Sequence, residues 1–501
     1  MNQPVSSSTP TSQTEWQALA TSLTLEGRAY LNGAYQWAAN GETFTSVSPI
    51  DGRELATIAS CDQSDADQAV MAARNAFEAG IWSQLAPARR KAVLLRFADL
   101  IEAHGDELAL LETLDMGKPI NHARNVDVPA TARAIRWTAE AIDKVYGELA
   151  PTPHNQIGMI SREPMGVVAA IVPWNFPMIM AAWKIAPALA TGNSVILKPS
   201  EKSPLSAIRL AALAEEAGVF NVLPGYGHTV GKALALHMDV DCLVFTGSTN
   251  VAKQLMIYAG QSNMKRVWLE AGGKSPNIVF ADAPDLKKAA AEAASAIAFN
   301  QGEVCTAGSR LLVENSIRAE FIELIREALK TWRPGHPLDP ATTCGAIVDQ
   351  GQLDRIIDYI GIGQSEGARL VEGGQRIMED TGGLFVQPTV FDGVNNQMRI
   401  ASEEIFGPVL SVIGFDTADE AIRIANDSIY GLAAAVWTSN INTAHKVAKA
   451  LRAGSVWINH YDGGDMTAPF GGFKQSGNGR DKSVHAFDKY TELKATWLVL
   501  E

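Results

Sequence analysis

Short β-rich apolar runs alternate with helical stretches from residue 160 onward, and this alternation restricts the possible fold more than any other feature of the chain. GVVAAIV (166–172), NSVILKP (193–199) and CLVFTGS (242–248) predict strands, and the segments between them carry apolar residues at helical spacing. Strands that alternate with helices form a parallel sheet covered by helices on both faces. The sequence therefore predicts an α/β domain in this region.

A second set of strands predicts a second α/β domain. Its predicted strands are 276–282, 310–315, 410–416 and 455–460, and its predicted helices are 284–299, 317–330 and 417–427. We expect residues 65–115 to be helical and the two domains to join near LEAGGKSPN (269–277). Segments 152–164 and 491–500 predict strands outside both sets. Because an unpaired strand edge favours pairing with another chain, these two indicate a small oligomerisation element.

Composition and charge restrict the partners and the compartment. The 501 residues carry a net charge of −13, which argues against nucleic acid or an anionic membrane surface as partner. The polar N-terminus lacks a secretory signal, and prolines interrupt the longest apolar run. The four cysteines match neither a zinc site nor a disulfide framework, so we expect no metal and a reducing cytoplasm. They are Cys61, Cys242, Cys305 and Cys344.

Cys305 has unusual neighbours for a buried cysteine. Its segment, FNQGEVCTAGSR (299–310), surrounds the thiol with small and polar residues. Structural cysteines usually pack among aliphatic side chains, where the thiol behaves as a small hydrophobe. The segment is therefore not typical of a packed core, and residue types alone leave the role of Cys305 open.

Two segments of the first domain favour a nucleotide, although no G-x-G-x-x-G follows a strand there. FTGSTNVA (245–252) turns from a strand into a helix, and a helix N-terminus favours a phosphate. Lys198 and Glu201 follow a strand, at the end of a parallel sheet where ligands bind. An N-capped helix and a solvated charged loop explain the same two segments equally well.

Four segments share a single explanation: PWNFP (173–177), LEAGGKSPN (269–277), FNQGEVCTAGSR (299–310) and EEIFGPV (403–409). Together they resemble the aldehyde dehydrogenase superfamily, from about residue 30 to the C-terminus. The resemblance implies an α/β fold with two Rossmann-like parallel-sheet domains and a small β element that builds dimers and tetramers. The implied divisions are a flexible leader (1–30), an NAD-binding domain (31–150 and 165–272), a catalytic domain (273–468) and an oligomerisation element (151–164 and 487–501).

The resemblance also implies a mechanism. Cys305 matches the family's nucleophile, whose attack on an aldehyde produces an oxyanion. The backbone N–H of Cys305 and the amide of Asn175 match the oxyanion donors. After hydride passes to NAD a thioester remains, and Glu270 matches the base that activates water to hydrolyse it. Lys184 matches a lysine near the active site that helps to orient the cofactor and the oxyanion donor.

Further positions match the family's nucleotide site. The resemblance assigns Lys198 and Glu201 to a ribose and Glu404 to the nicotinamide ribose. A carboxylate at Glu201 would repel a 2′-phosphate, which predicts a preference for NAD over NADP. The complete set of matching positions is Trp174, Lys198, Ser200, Glu201, Gly231, Phe245, Gly247, Ser248, Glu404 and Phe406.

The run 461–497 is similar to a bacterial group that oxidises ω-amino aldehydes from polyamine and arginine breakdown. That group includes γ-glutamyl-γ-aminobutyraldehyde and 4-guanidinobutyraldehyde dehydrogenases. Phe176, Trp183 and Phe470 match the aromatic walls of its substrate tunnel. Asp462 and Asp465 offer carboxylates for a cationic tail, with Asp115 and Asp127 as further candidates. Capping of turns, the commonest role of Asp beside Gly, explains these aspartates equally well.

Other functions compete with this interpretation. A broad-specificity aliphatic or betaine-type aldehyde dehydrogenase is the nearest alternative. A CoA-dependent acylating enzyme needs no hydrolytic base, so Glu270 argues against it. A structural protein recruited from the family is disfavoured by the intact set Cys305, Glu270 and Asn175. A thiol hydrolase needs a histidine partner, and no histidine of the chain matches one.

Overall fold

The computed structural model describes residues 9–501 and contains two seven-stranded sheets and a separate three-stranded sheet. The strands of the described region are β1 Ala29–Leu31, β2 Ala34–Gln36, β3 Thr43–Val47, β4 Glu54–Ala59, β5 Glu148–Ala150, β6 Gln156–Pro164, β7 Val167–Ile171, β8 Ser194–Lys198, β9 Phe220–Val222, β10 Cys242–Thr246, β11 Arg266–Glu270, β12 Pro276–Val279, β13 Arg310–Glu314, β14 Arg369–Glu372, β15 Arg376–Ile377, β16 Phe385–Val386, β17 Thr389–Asp392, β18 Val409–Phe415, β19 Ala433–Trp437, β20 Ser455–Ile458 and β21 Thr491–Val499.

The α-helices follow the strands in the alternation that the sequence predicts. Within residues 9–501 they are α1 Gln13–Ser22, α2 Gln63–Glu78, α3 Pro87–Ala103, α4 Gly105–Met116, α5 Ile120–His122, α6 Val128–Ala141, α7 Pro177–Ala190, α8 Leu205–Leu213, α9 Lys232–Leu236, α10 Thr249–Gln261, α11 Leu286–Ala298, α12 Arg318–Leu329, α13 Gln350–Ser365, α14 Arg399–Ser402, α15 Ala418–Asn426 and α16 Ile441–Ala450. None of them is both long and apolar enough to cross a membrane.

The first sheet has the order β11-β10-β7-β8-β9-β1-β2, and its five strands from β11 to β9 are parallel. After β7 the chain adds β8 and β9 on one side and then returns to add β10 and β11 on the other. A crevice forms at such a reversal, outside the carboxyl ends of the strands. The segment that follows β7 therefore begins where a ligand is expected to bind.

Both faces of this sheet are buried. Val168 and Ala170 of β7 pack into one hydrophobic core, whereas Val167 and Ala169 pack into another. Successive side chains of a strand point to opposite faces, so the two cores lie on opposite sides of the sheet. This arrangement explains why β7 is a continuous apolar run rather than an alternating one.

The second sheet has the order β14-β17-β18-β13-β12-β19-β20 and is parallel except at β14. The chain passes from the first sheet to the second between Glu270 and Pro276, within the predicted junction at 269–277. Every strand predicted from the sequence coincides with a strand of the structure to within a few residues. The predicted α/β fold class is confirmed.

Two features differ from the predicted organisation. Residues 13–22 of the predicted flexible leader form α1. Ser12 and Glu15 form a reciprocal cap at its N-terminus, and Trp16, which is 2% exposed, packs this helix against the core. The three-stranded sheet (β5, β6 and β21) begins at Glu148, before the predicted element at 151–164. Residues 1–8 of the leader lie outside the described residues.

Candidate active site

Cys305 follows a turn of rare backbone geometry. Asn300, Gln301 and Gly302 have φ angles of 48°, 55° and 70°, so three consecutive residues adopt the left-handed region. Two of them are not glycine, and such residues occupy this region only when their surroundings hold them there. At Gly302 a side chain would overlap the backbone of Gly407, so only glycine fits.

Buried hydrogen bonds hold this turn. The Asn300 side chain donates to the carbonyl oxygen of Asn175 at 3.0 Å. Gln301 Oε1 accepts from the Gly345 N–H at 3.1 Å, and Glu303 Oε1 accepts from the Val348 N–H at 3.1 Å. These contacts fix the backbone that leads into Cys305.

The same network brings Asn175 to the cysteine turn. Asn175 follows β7 in the crevice, and its Nδ2 donates to the carbonyl oxygen of Glu303 at 2.8 Å. A primary amide carries two N–H donors, so one remains for another acceptor. The predicted oxyanion donor and the predicted nucleophile therefore belong to one hydrogen-bonded unit.

Glu270 ends β11 as a buried carboxylate without a hydrogen-bond donor among residues 9–501. Two glycines lie against this carboxylate. A Cβ atom at Gly471 would be 2.6 Å from Glu270 Oε1, and a Cβ atom at Gly479 would be 3.0 Å from the same oxygen. Burial raises the pKa of Glu270 well above its ordinary value, and the charge of Asp481 adds to this effect. A carboxyl group with a raised pKa and free oxygens is suited to general base catalysis near neutral pH.

Lys184 forms an ion pair that the sequence did not predict. Its Nζ bonds one oxygen of Asp481, and Nζ of Lys489 bonds the other oxygen. All three side chains are at most 3% exposed. Lys184 therefore contacts Asp481 rather than the predicted oxyanion donor Asn175, and the charges of Lys184, Asp481 and Lys489 all act on Glu270.

The Cys305 thiol is partly accessible, yet it is not intrinsically acidic. Burial raises the pKa of Cys305 to about 12, and the charges of Glu404, Asp462 and Glu270 raise it further. A thiol of this kind is protonated at neutral pH and needs a base before it can attack a carbonyl group. The nearby carboxylates are the available bases.

The predicted ribose-binding residues lie at the carboxyl end of β8. Lys198 ends this strand, is 3% exposed, and its Nζ bonds Glu201 Oε2 at 3.2 Å. Ser200, which is buried, lies between them and accepts the Lys202 N–H at 3.3 Å. Strand β8 is next to β7 in the sheet, so this pair borders the crevice that contains Asn175.

On the other side of β7, β10 leads into α10. Ser248 caps this helix by accepting the Val251 N–H at 3.3 Å. At Gly247 a side chain would overlap the ring of Phe245, so only glycine fits in the turn between strand and helix. Free N–H groups at the start of a helix favour a phosphate, and Gly231 lies buried at the beginning of α9 in the same domain.

Aromatic and acidic side chains line the crevice on the side of the second sheet. The rings of Trp174 and Phe406 meet edge to face with centroids 5.2 Å apart. Glu404 Oε1 accepts the Gly273 N–H at 2.9 Å, and burial raises the pKa of Glu404 to about 7. The predicted nicotinamide-side residues therefore lie together, beside the segment that joins the two sheets.

Aromatic side chains predicted to line the substrate tunnel also lie in pairs. Trp183 and Phe470 have ring centroids 5.2 Å apart, and Phe176 stacks on Phe299 at 6.2 Å. Phe299 also lines a cavity of about 60 Å³, together with Thr306, the residue that follows Cys305, and Asp462. The Phe176–Phe299 pair therefore reaches the cavity beside the nucleophile.

The aspartates predicted to bind a cationic tail have different surroundings. Asp462 accepts the Thr306 hydroxyl at 3.4 Å, which brings it beside the nucleophile. Asp465 is exposed and caps its own turn by accepting the Thr467 N–H at 2.9 Å. Asp115 and Asp127 are fully buried, the first bonded to Ser46 and Leu205 and the second to Lys118. Asp127 Oδ1 has no hydrogen-bond partner among residues 9–501, and Lys118 Nζ lies 4.2 Å from the centre of the Phe176 ring. That these two aspartates border the tunnel mouth therefore stays a prediction.

A family model described as the aldehyde dehydrogenase family matches residues 37–496 of the chain. The chain belongs to the aldehyde dehydrogenase family. The predicted family is confirmed, and with it the prediction that the protein is an oxidoreductase.

Solved and curated proteins of the aldehyde dehydrogenase family agree with this result. An indole-3-acetaldehyde dehydrogenase crystallised with NAD⁺ is 69% identical with a TM-score of 0.97, over 98% of this chain and 100% of that chain. A γ-glutamyl-γ-aminobutyraldehyde dehydrogenase from Burkholderia cenocepacia J2315 is 61% identical with a TM-score of 0.96, over the same shares. The NADP/NAD-dependent aldehyde dehydrogenase PuuC of Escherichia coli K12 is 56% identical over 97% of this chain and 98% of its own length.

The structure adds charged residues to the site of this aldehyde dehydrogenase that sequence reasoning missed. Asp481 and Lys489 form the buried ion pairs behind Glu270, and Lys482 lies beside Trp183. The only sequence signal for Asp481 and Lys482 is the charged cluster that follows the glycines of GNGRDK (477–482), and Lys489 lies beyond it. A charged cluster after glycines usually indicates a solvated loop, so the burial of Asp481 could not be predicted from it.

Proposed function

We propose that this protein catalyses the NAD-dependent oxidation of an amino aldehyde to its carboxylic acid. The observation that carries the proposal is the hydrogen-bonded unit of Asn175 and the Cys305 turn, close to the free carboxylate of Glu270. The unit combines a nucleophile, an amide donor and a base. An assay of NADH absorbance with a short aldehyde such as propanal tests the reaction class.

The crevice suits a dinucleotide in its shape and charge. It opens at the reversal of strand order, with the N-terminus of α10 on one side and the Lys198–Glu201 pair on the other. The helix N-terminus would hold the pyrophosphate, and Glu201 would accept hydrogen bonds from ribose hydroxyls. Glu404, Phe406 and Trp174 would hold the nicotinamide end. Bound NAD supplies the acceptor for the hydride that the substrate loses.

The first chemical step is attack of Cys305 Sγ on the aldehyde carbon. Because burial holds the thiol in its protonated form, a carboxylate must accept the proton. The oxyanion that forms accepts hydrogen bonds from the Cys305 N–H and from the second Nδ2 proton of Asn175. These donors are fixed in advance by the buried network around Asn300 and Glu303, so little reorganisation is needed during the reaction.

Loss of hydride from the tetrahedral adduct leaves a thioester on Cys305, and the last step is its hydrolysis. Glu270 accepts a proton from water, which then attacks the thioester carbon and releases the carboxylic acid. Its two oxygens have no competing donor among residues 9–501, so both are available to water. Lys184, Asp481 and Lys489 act through Glu270: burial raises the pKa of this carboxyl group, the charge of Asp481 raises it further, and those of Lys184 and Lys489 lower it.

An amino aldehyde is the substrate class that we favour. The relative named γ-glutamyl-γ-aminobutyraldehyde dehydrogenase supports it, as do the carboxylates of Asp462 and Asp465 near the tunnel. Gly464 leaves room between these carboxylates, because a Cβ atom there would meet only Lys482 Nζ at 3.6 Å, whereas the His460 ring fills the space at Gly463. In this role the enzyme would act in polyamine or arginine breakdown.

Indole-3-acetaldehyde is a second candidate substrate. The 69% identical relative named for it supports this alternative, and the paired rings of Trp183 and Phe470 would pack against an indole. Comparison of kcat/KM for γ-glutamyl-γ-aminobutyraldehyde, 4-guanidinobutyraldehyde, indole-3-acetaldehyde and propanal separates the candidates. The highest value for the indole substrate would overturn the amino aldehyde assignment.

We also propose a homotetramer, built as a dimer of dimers, located in the cytoplasm. Strand β21 is an edge strand of the three-stranded sheet and exposes apolar side chains, with Leu493 62% and Trp497 61% exposed. Such an edge favours pairing with another copy of the chain. Analytical ultracentrifugation of the wild type and of Trp497→Lys tests this assembly, and a wild-type monomer would contradict it.

A further inference from the structure

Lys482 occupies a strained and firmly anchored backbone position beside the predicted substrate tunnel. Its φ angle is 62° and that of Ser483 is 48°, so two successive residues other than glycine are left-handed. The residues on both sides are tied down. Asp481 exchanges two backbone hydrogen bonds of 2.7 Å with Phe470, and the Ser483 N–H donates to Met466 at 2.7 Å. Strain of this kind is retained where a side chain must be held in place.

The side chain of Lys482 enters the region between the aromatic wall and the glycine loop. Its Nζ lies 5.6 Å from the centre of the Trp183 ring and would be 3.6 Å from a Cβ atom at Gly464. Across residues 9–501 no carboxylate oxygen lies within 4.0 Å of this Nζ. The ammonium group is therefore beside the substrate wall and still available to an anion.

Charges of both signs surround this group. Asp462 and Asp465 attract it, whereas Arg133, which is exposed on α6, repels it. The same Lys482 and Arg133 also act on Asp465. A site for a purely cationic tail would present carboxylates alone, because nearby cations weaken its binding. The predicted tunnel mouth instead combines an available cation with an exposed carboxylate.

We propose that Lys482 is a specificity-determining residue that binds the carboxylate of an aldehyde with an α-amino-acid tail, while Asp465 binds the ammonium group of that tail. This inference rests on the proposed function and narrows its substrate class to zwitterionic amino aldehydes. A guanidinium tail would meet Asp465 but be repelled by Lys482 and Arg133. An indole would pack on Trp183 and gain nothing from the ammonium group of Lys482.

The test compares three substrates in the wild type and in Lys482→Met, which keeps the apolar stem and removes the charge. The substrates are γ-glutamyl-γ-aminobutyraldehyde, 4-guanidinobutyraldehyde and propanal. We expect the ratio of kcat/KM for the zwitterionic substrate to that for propanal to fall about 10- to 100-fold, mainly through KM, because a charge-assisted hydrogen bond is lost. The ratio for the guanidino substrate should rise or stay the same.

Two further variants sharpen the result. Lys482→Arg keeps the positive charge and should restore most of the preference for the zwitterionic tail. Lys482→Glu should reverse it in favour of the guanidino substrate. Lys449→Met, at an exposed lysine of α16, is the matched control for loss of one surface cation. NAD affinity measured for each variant verifies that the fold is retained.

The outcomes separate this inference from the proposed function. A wild type that oxidises no aldehyde, propanal included, would contradict the proposed function itself. A wild type that oxidises propanal but does not prefer the zwitterionic substrate would overturn only the inference about Lys482. An equal fall in kcat/KM for all three substrates in Lys482→Met would also overturn the inference about Lys482, because the lysine would then act only on the structure of its loop.

Discussion

Asn175 Nδ2 donates a hydrogen bond of 2.8 Å to the carbonyl oxygen of Glu303, two residues before Cys305. The bond joins the segment after β7 to the turn that precedes β13, and so connects the two parallel sheets at the nucleophile. Asn300 strengthens this connection by donating to the carbonyl oxygen of Asn175 at 3.0 Å. The position of the amide donor is therefore set by the cysteine turn itself.

We expect Asn175→Ala to lower kcat about 100- to 1,000-fold, because one of the two oxyanion donors is removed. The dissociation constant for NAD should change little, since Asn175 lies at the reacting end of the crevice rather than at the predicted ribose or phosphate positions. Stopped-flow measurement of NADH formation and equilibrium titration with NAD check the two parts. A loss of less than about fivefold in kcat would contradict the assigned role.

Glu270→Gln should slow thioester hydrolysis far more than acylation, because an amide cannot accept a proton from water. Rapid mixing with NAD and propanal should show a burst of NADH equal to the enzyme concentration, followed by a steady state about 100- to 10,000-fold slower than wild type. Glu303→Gln alters another buried carboxyl group near Cys305 and keeps a side-chain oxygen to accept the Val348 N–H, so it tests whether disturbance of the cysteine turn alone slows hydrolysis. Loss of the burst together with the steady state would indicate that Glu270 acts before the thioester forms.

The pH dependence of hydrolysis should reflect the raised pKa of Glu270. The base must be ionised, so activity is lost as pH falls through this pKa, and it is lost at a higher pH than for an ordinary glutamate. The groups acting on Glu270 are Asp481, Lys184, Lys489 and Arg480. Lys489→Met removes one cation from this set, so we expect the acidic limb of the kcat profile to move to higher pH.

A buried lysine elsewhere in the first domain serves as control for this shift. Lys265 is 6% exposed, its Nζ donates to the carbonyl oxygen of Ala235 at 2.7 Å, and it precedes β11, the strand that Glu270 ends. Lys265→Met should lower the unfolding temperature and leave the acidic limb in place. If both variants move the limb equally, the shift arises from general destabilisation and not from the charge of Lys489.

Glu201 should give NAD an advantage over NADP. Its carboxylate is about one third exposed and already paired with Lys198 at 3.2 Å, so its repulsion of a 2′-phosphate is strongly screened. We expect a preference of about 1 kcal/mol, roughly fivefold in kcat/KM, which Glu201→Gln should remove. Equal kcat/KM for the two cofactors in the wild type would show that Glu201 does not face the 2′ position.

Seven strands of the two large sheets could be predicted from the sequence because their apolar runs are local signals: β7, β8, β10, β12, β13, β18 and β20. The buried strand β7, for example, is apolar at every position. The other seven strands of these sheets were not predicted. Helix α1 also had a local signal, since Ser12 and Glu15 form a capping box, but it was missed because the surrounding composition favoured a leader. The structure corrects that prediction through the burial of Trp16.

The charged groups behind the site could not be predicted, because they depend on contacts between distant segments. Lys184 and Asp481 are separated by 297 positions in the chain, and either residue alone is typical of a solvated surface. Lys118 and Asp127 are only 9 positions apart, and it is their common burial that the sequence does not show. By contrast, Lys198 and Glu201 lie three positions apart, and their common location follows from β8 alone.

The central claim is that Cys305 carries the acyl group and that Glu270 is needed to remove it. Its most direct test is the intact mass of Glu270→Gln after mixing with NAD and propanal. The account predicts one propanoyl adduct per chain, located by peptide mapping on the segment that contains Cys305, and no adduct in the double variant Cys305→Ala/Glu270→Gln. An adduct on another residue, or NADH formation by the Cys305→Ala single variant within tenfold of wild type, would contradict it.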